Sequence, residues 1–174
     1  MSTPDLTHSP DHIPGAPPAD QRELVTFRIG EQDFSMDIML VREIRGWSEA
    51  TVLPYAPRYV LGVINLRGAV VPIIDLAARL GLAPTEPGPR HVVIIVADGS
   101  RLTGFLVSAV SDILSVGTGE VQSVPSLNDM SASFLSGVIT SKSRLLRILD
   151  VAAALPGREE EADMQVQAEA ECLN

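Results

Sequence analysis

Alternating apolar and polar residues along the middle of the chain predict many short β-strands. In one example, apolar Phe34, Met36 and Ile38 are separated by single polar residues, which indicates a strand with one buried face. Turn-forming residues such as Gly30 separate successive runs. A chain with many short strands at regular spacing forms a β-sandwich or small barrels, so we predict an all-β fold. The predicted strands are Leu24–Ile29, Phe34–Ile38, Leu61–Arg67, Val70–Ile74, His91–Ala97, Leu102–Val107, Leu114–Val116, Val121–Val124, Gly137–Ser141 and Leu145–Leu149.

Helix is predicted mainly in two short segments, Leu76–Leu80 and Val151–Leu155. An aspartate, Asp75 or Asp150, precedes each segment and can accept a hydrogen bond from a free backbone N–H at the helix start. Because the two aspartates occupy equivalent positions, a paired-carboxylate acid–base site is the alternative interpretation. The apolar strand before each aspartate and the two alanines soon after it favour helix capping.

An internal repeat is the most informative feature of the sequence. Residues 62–80 and 137–155 are identical at eight of nineteen positions without a gap. Composition alone predicts about one or two identities in such a window. Upstream, Val41–Ile44 and Val110–Ile113 share the pattern V-x-acid-I. The chain therefore contains two copies of one unit, in the order hairpin, V-x-acid-I segment, G-V-I strand, returning strand and Asp-capped helical turn. Units this small gain stability by packing together, and the groove between them is a natural binding site.

Both ends of the chain are predicted to be tails. Residues 1–21 are rich in proline and lack apolar periodicity, which is typical of a disordered segment. Residues 157–174 are acidic and rich in Glu and Ala, and they show only a weak apolar stripe of Met164, Val166 and Leu173. This segment could form a frayed or partner-induced helix, but we expect it to behave as a second tail.

The net charge of −9 comes from these tails. The expected folded domain, residues 22–156, contains 13 acidic and 12 basic residues and is nearly neutral. Nucleic-acid binding requires a basic surface, and aromatic residues for base stacking make up only 4% of the chain, so a nucleic-acid partner is not expected. Because no apolar run approaches the length of a membrane span and the first residues do not resemble a signal peptide, we expect a cytoplasmic protein.

Candidate catalytic residues are scarce. The expected domain contains one histidine, His91, no cysteine, and the chain's only lysine, Lys142. A nucleophile and base arrangement needs a histidine, cysteine or lysine beside an acceptor, and the expected domain has few of these residues. We therefore expect no enzymatic activity. His8 and His12 have a spacing found in metal sites, but they lie in the proline-rich segment without further ligands. We therefore expect no metal and no cofactor.

Glu43 and Arg67 are the charged pair that suggests a specific interaction. Arg67 closes an otherwise apolar strand, and Glu43 interrupts the apolar residues Val41 and Ile44. Two interpretations are open. Both side chains could lie at the surface without meeting, or they could pair across the first barrel and fix the loops beside an exposed apolar surface.

The residues Gly62–Leu76 resemble the G-x-x-N-L-R-G-x-x-x-P-V-x-D-L signature of CheW domains, and Val41–Ile44 matches the V-x-E-I motif of that family. The second copies of both motifs extend the resemblance over residues 22–156. The resemblance implies two SH3-like five-stranded β-barrels packed together. It also implies a non-enzymatic chemotaxis adaptor that is recruited to receptor arrays and couples the cytoplasmic tips of chemoreceptors to a CheA-type histidine kinase.

The family resemblance also implies which residues meet each partner. The receptor would lie in the groove between the barrels, and loops of the first barrel would meet the regulatory domain of the kinase. By position, the receptor-binding residues are Val41, Ile44, Gly62, Ile64 and Val110. The kinase-binding residues are Pro54, Tyr55, Ala56, Pro57, Arg58 and Tyr59. The family's glutamate and arginine correspond to Glu43 and Arg67, and their pairing in the family supports a structural ion pair.

A function from another class is the alternative: a double β-barrel that binds a small soluble ligand between its halves. Ligand binding raises thermal stability by mass action, so a thermal-shift screen against metabolites distinguishes the two functions.

Overall fold

Ten strands and three α-helices make up the structure, a computed structural model that describes residues 20–124 and 130–172. The strands are β1 (Gln21–Ile29), β2 (Gln32–Asp37), β3 (Val41–Gly46), β4 (Val60–Leu66), β5 (Ala69–Asp75), β6 (Val92–Asp98), β7 (Arg101–Val107), β8 (Ala109–Gly117), β9 (Leu135–Ser141) and β10 (Arg144–Leu149). The helices are α1 (Leu76–Arg79), α2 (Val151–Ala154) and α3 (Arg158–Cys172). The dominance of strands confirms the predicted all-β class. His8, His12 and nearly all of the predicted N-terminal tail lie outside the described residues.

The strands form two five-stranded sheets with the same layout. Barrel 1 has the strand order β3-β6-β7-β5-β4, and barrel 2 has the order β8-β1-β2-β10-β9. Each contains one parallel pair, β5 with β7 in barrel 1 and β10 with β2 in barrel 2, and its other pairs are antiparallel. The two sheets correspond strand for strand, which confirms the prediction of two SH3-like five-stranded subdomains.

The elements follow one another along the chain in the predicted order, but each hairpin completes the barrel of the other repeat unit. Barrel 1 is continuous in sequence and ends, rather than begins, with its hairpin β6–β7. Barrel 2 consists of β8, β9 and β10 completed by the N-terminal hairpin β1–β2. The whole of barrel 1 is therefore inserted between the second and third strands of barrel 2. Because of this insertion, a single cut in the chain cannot separate the two barrels.

The largest apolar cluster lies between the barrels rather than inside either one. Among the described residues it contains 16 buried side chains, against six in the interior of barrel 1 and five in that of barrel 2. Neighbouring residues of one strand divide between the clusters: Ile94 faces the shared cluster, while Ile95 faces the barrel interior. Strands that bury both faces need continuous apolar sequence, which explains the run Val92–Ala97.

Arg79 at the end of α1 ties the two barrels together. Its Nε donates to the carbonyl oxygen of Ala154 at 3.0 Å, and its Nη2 donates to that of Leu155 at 3.1 Å. Its guanidinium carbon also lies 4.4 Å from the ring centre of Tyr59 and 5.1 Å from that of Phe134. The two hydrogen bonds supply donors for the carbonyl oxygens at the end of α2. The guanidinium group also lies near two aromatic rings, one from each half of the repeat.

The two aspartates predicted as helix caps behave differently. Asp150 accepts a hydrogen bond from the backbone N–H of Ala153 at 3.3 Å, as predicted. Asp75 makes no such bond at α1, and its Oδ2 accepts from the N–H of Thr85 at 2.7 Å. Asp75 is 2% exposed and therefore anchors the proline-rich connection between β5 and β6 to barrel 1. The capping prediction was wrong for Asp75, because a neighbouring loop supplies a closer donor.

Three segments differ markedly from the predicted strands. Residues 41–46, where no strand was predicted, form β3 and pair with β6, and β8 extends back to Ala109. Val121–Val124 is not a strand and contributes one bridge, Gln122 with Val138. Local sequence does not predict these differences, because whether a segment forms a strand depends on the neighbouring strand with which it pairs.

The acidic C-terminal segment is a helix rather than a tail. Met164 and Ala168 of α3 are each 2% exposed and pack against Leu53 and Val63 of barrel 1. The residues facing the barrel are spaced as i, i+3, i+4 and i+7, but two of the four, Glu161 and Gln165, are polar. A search for an apolar stripe misses such a helix.

We expect Phe105→Ala to destabilise both barrels together, by about 3–5 kcal/mol, because the ring is fully buried in the shared cluster. The measurement is thermal unfolding combined with amide hydrogen exchange. Protection of β9 and β10 in barrel 2 should fall along with that of β7. Leu145→Ala, at a 47% exposed position, is the control. Retention of full protection in barrel 2 would show that the barrels unfold independently.

Candidate protein-binding surfaces

An open apolar cleft separates the two barrels on one side of the molecule. Its volume is about 560 Å³, and we call it the inter-barrel cleft. Both V-x-acid-I segments line it, Val41, Glu43 and Ile44 from β3 and Val110, Asp112 and Ile113 from β8, together with Val25, Ile38 and Ser111. The two copies of one motif thus face a common space.

A β-bulge shapes each wall of the cleft. On β3 the register against β6 shifts between Val41 and Glu43, and the β1–β8 pairing shifts between Val25 and Phe27. In barrel 2, Thr26 fills the irregularity: its hydroxyl accepts from the N–H of Asp112 at 3.0 Å and donates to the carbonyl of the same residue at 3.1 Å. Bulges twist a strand and redirect its side chains, which places apolar residues on the open side.

Ile44 and Ile113 are the most exposed apolar residues of the cleft, at 46% and 61%. Two β-branched side chains on facing walls create an apolar surface that water solvates poorly. The carboxylates of Glu43 and Asp112 flank it. Such a surface can accept an apolar partner with polar edges.

The structure brings three of the five predicted receptor-binding residues to the cleft. Val41, Ile44 and Val110 line it, but Gly62 and Ile64 are not among its lining residues. Ile64 packs against the interior cluster of barrel 1. Gly62 lies on β4 where the chain after β3 crosses it, and a Cβ there would lie 2.3 Å from the carbonyl oxygen of Thr51. These two residues support the barrel rather than the cleft.

Gly62 and its repeat partner Gly137 have the same role. Beside each glycine, a short bridge joins the preceding segment to β4 or β9, Thr51 with Val63 and Gln122 with Val138. A Cβ on Gly137 would lie 2.6 Å from a side-chain carbon of Val121. The glycine of G-V-I is therefore required because a second segment crosses closely at that point.

Glu43 and Arg67 meet. The Nη2 of Arg67 donates to Oε2 of Glu43 at 2.8 Å, and Arg45 approaches the other carboxylate oxygen at 3.4 Å. Arg67 lies in the two-residue turn between β4 and β5 with a φ of 51°, and Asn65 Oδ1 accepts from the N–H of Gly68 at 2.9 Å. The pair joins β3 to this turn across the edges of barrel 1. Because the side chain of Arg67 is 77% exposed, water screens the interaction.

The predicted kinase-binding residues, Pro54–Tyr59, form the second half of the connection between β3 and β4. Tyr55 is 86% exposed. Tyr59 instead packs on Arg79, and its hydroxyl donates to Oε2 of Glu160 at 2.5 Å. Burial raises the pKa of Tyr59 to about 12, with a smaller contribution from the bond to Glu160. The phenol therefore stays protonated and remains a donor to α3.

Helix α3 lies directly beside this loop. Gln167 Oε1 accepts from the backbone N–H of Tyr55 at 3.2 Å, and a small pocket between helix and loop is lined by Ala56, Pro57 and Met164. Glu161 forms an ion pair with Arg101 at the β6–β7 turn. The predicted kinase-binding loop is therefore partly covered by the C-terminal helix.

Sequence reasoning missed five cleft residues, Val25, Ile38, Ser111, Asp112 and Ile113, and the contacts of α3. The repeat contained the signal for Ile113, because Ile113 is the counterpart of Ile44. Val25 and Ile38 could be placed only after the pairing of the N-terminal hairpin with barrel 2 was known. Within the described residues, no group of three or more His, Cys, Asp or Glu is placed to hold a metal ion. In the same part of the chain, no helix combines the length and apolar character that a membrane crossing requires.

The model of the CheW-like domain family matches residues 23–159. The chain is 50% identical over 142 residues to the chemotaxis protein CheW of Rhizobium meliloti, covering 81% of this chain and 92% of the relative. It is 32% identical to the chemotaxis protein CheW of Klebsiella aerogenes, covering 79% and 84% of the two chains. The scaffolding protein TtCheW from Thermoanaerobacter tengcongensis has the same fold, with a TM-score of 0.74, 24% identity, and coverage of 85% of this chain and 95% of that one.

Two β-barrels fused through one apolar core, with an open cleft between them and an exposed loop beside them, define a double-barrel protein with two candidate binding surfaces. The chain belongs to the CheW-like domain family.

We expect the Glu43–Arg67 pair to contribute no more than about 1 kcal/mol, because Arg67 is mostly exposed. Arg67→Ala, Glu43→Ala and the double variant form a thermodynamic cycle measured by urea unfolding. The double variant should lose less stability than the two single variants combined, because each single variant already loses the full energy of the ion pair. Strictly additive losses would show that the two side chains do not interact in solution.

Proposed function

We propose that this protein is a non-enzymatic adaptor that couples the cytoplasmic tips of chemoreceptors to a CheA-type histidine kinase. Its place of action is then the cytoplasmic face of a receptor array. The observation that carries the proposal is the convergence of both V-x-acid-I motifs on one apolar cleft. The names of the relatives, chemotaxis protein CheW and scaffolding protein, support it.

The receptor is assigned to the inter-barrel cleft. Apolar side chains from both barrels line it, and Ile44 and Ile113 are already partly exposed without a partner. Covering them removes apolar surface from water, which is the main favourable contribution in most protein–protein interfaces. A helical hairpin with apolar residues along one side complements this cleft, because its apolar side chains can pack into it.

The kinase regulatory domain is assigned to the loop Pro54–Tyr59. Tyr55 presents a nearly free aromatic ring, and aromatic side chains are the commonest anchors of protein interfaces. The loop and the cleft are built from different segments of barrel 1. The protein can therefore hold both partners at once, as an adaptor must.

We expect Ile44→Arg and Ile113→Arg each to weaken binding of a purified receptor-tip fragment more than about tenfold, because a cation would be buried without a partner. Kinase binding should be unchanged. Leu145→Arg is the matched control, since Leu145 is 47% exposed against 46% for Ile44 and does not line the cleft. Equal losses in all three variants would show that the cleft is not the receptor site.

We expect Tyr55→Ala to weaken binding of the kinase regulatory domain about tenfold, as loss of an aromatic anchor does, and to leave receptor binding intact. Its 86% exposure means that thermal stability should not change. Met39→Ala, at 85% exposure, removes a comparably exposed side chain elsewhere. Isothermal titration calorimetry with each fragment measures both affinities. Unchanged kinase affinity in the Tyr55 variant would remove this loop from the interface.

A further inference from the structure

Helix α3 covers apolar residues of barrel 1 that continue into the loop Pro54–Tyr59. Beneath Met164 and Ala168 lie Leu53 and Val63, at 5% and 7% exposure. Leu53 immediately precedes the loop in sequence. The surface covered by α3 and the surface assigned to the kinase are therefore adjacent and partly the same.

The side of α3 that faces the barrel is poorly suited to permanent packing. Its four inward positions are Glu161, Met164, Gln165 and Ala168, so only half of them are apolar, and one is an alanine. Helices that pack stably against a core usually present a broad, continuous apolar stripe. Val166, the one β-branched residue of α3, points outward and is 67% exposed.

The remaining contacts of α3 are polar, and they include the ion pair between Glu161 and Arg101. Glu160 accepts from Tyr59, Gln167 accepts from the N–H of Tyr55, and Gln165 Nε2 approaches the carbonyl of Val70 at 3.4 Å. Exchange of such bonds for bonds to water changes the free energy little. The helix thus docks specifically but weakly, and its release exposes Leu53 and Val63.

We propose that α3 is an intramolecular competitor for the kinase-docking surface: it covers this surface in the free protein and is displaced when the regulatory domain of the kinase binds. This inference rests on the proposed function. The partner is a domain that presents its own apolar surface to Leu53, Val63 and Tyr55. The helix keeps Leu53 and Val63 away from solvent in the free protein, while Tyr55 stays exposed, and the cost of this cover is a lower apparent affinity for the kinase.

The test uses the full chain with charge substitutions on the two sides of α3. Met164→Glu with Ala168→Glu weakens docking, because both side chains are buried, whereas Val166→Glu introduces the same kind of charge at an exposed position of the same helix. If α3 is docked in about 90% of free molecules, its release tightens the apparent Kd for the kinase regulatory domain about tenfold. Val166→Glu should leave the Kd unchanged, and receptor-fragment affinity should be the same in all variants.

A second variant avoids placing charge beneath the helix. Glu160→Ala with Gln167→Ala removes two hydrogen bonds to the loop without altering any barrel residue. It should also tighten kinase binding, by a smaller factor. Hydrogen exchange on the wild-type chain gives an independent readout: the α3 amides should be protected in the free protein and lose protection in the kinase complex.

The outcomes separate the two proposals. If the wild type binds the kinase domain and the α3 variants bind no tighter, or if α3 gains protection in the complex, the competitor role is wrong and the adaptor function stands. If neither the wild type nor any variant binds the kinase domain, the proposed function is wrong and the competitor role falls with it.

Discussion

The apolar cluster between the barrels is the constraint on which the rest of the structure depends. A barrel of five short strands encloses few side chains, and the interiors described here contain six and five buried residues. Cores of that size stabilise a domain only marginally. The shared cluster of 16 buried residues is larger than the two interiors together, so neither barrel is expected to persist without the other.

The two barrels also depend on each other through the connectivity of the chain, because barrel 1 is inserted between strands of barrel 2. Strands β1 and β2, synthesised first, pair with β8 and β10, which are synthesised last. Barrel 2 therefore cannot close until barrel 1 is complete. Contacts over such long sequence separations carry an entropic cost that slows folding, and the shared core compensates for it only when both barrels form. The cleft is thus held by the same cluster that holds the fold.

Strand content, the repeat and the pair of barrels could be predicted from the sequence because each is encoded locally or as self-similarity. The alternation at Phe34 and Met36 and the matched G-V-I strands are examples. The assignment of the first hairpin to barrel 2 could not be predicted, because tertiary contacts decide which strands a hairpin pairs with. For the candidate site, the family resemblance assigned Val41, Ile44 and Val110 to the receptor groove, and all three line the inter-barrel cleft. Ile64 was assigned to the same groove but packs against the interior cluster of barrel 1.

The repeat also explains why one candidate surface is symmetric and the other is not. Each V-x-acid-I segment contributes equivalent residues to the cleft, with Ile44 corresponding to Ile113 and Glu43 to Asp112. Outside the cleft the copies diverge: Arg79 in α1 corresponds to Ala154 in α2, and Arg79 donates to the carbonyl of that same alanine. The ring of Tyr59 lies against Arg79, and the Tyr59 hydroxyl donates to Glu160 of α3. This hydrogen bond joins α3 to barrel 1. A binding partner that distinguishes the two barrels must contact these asymmetric features, because the two barrels contribute nearly the same residue types to the cleft.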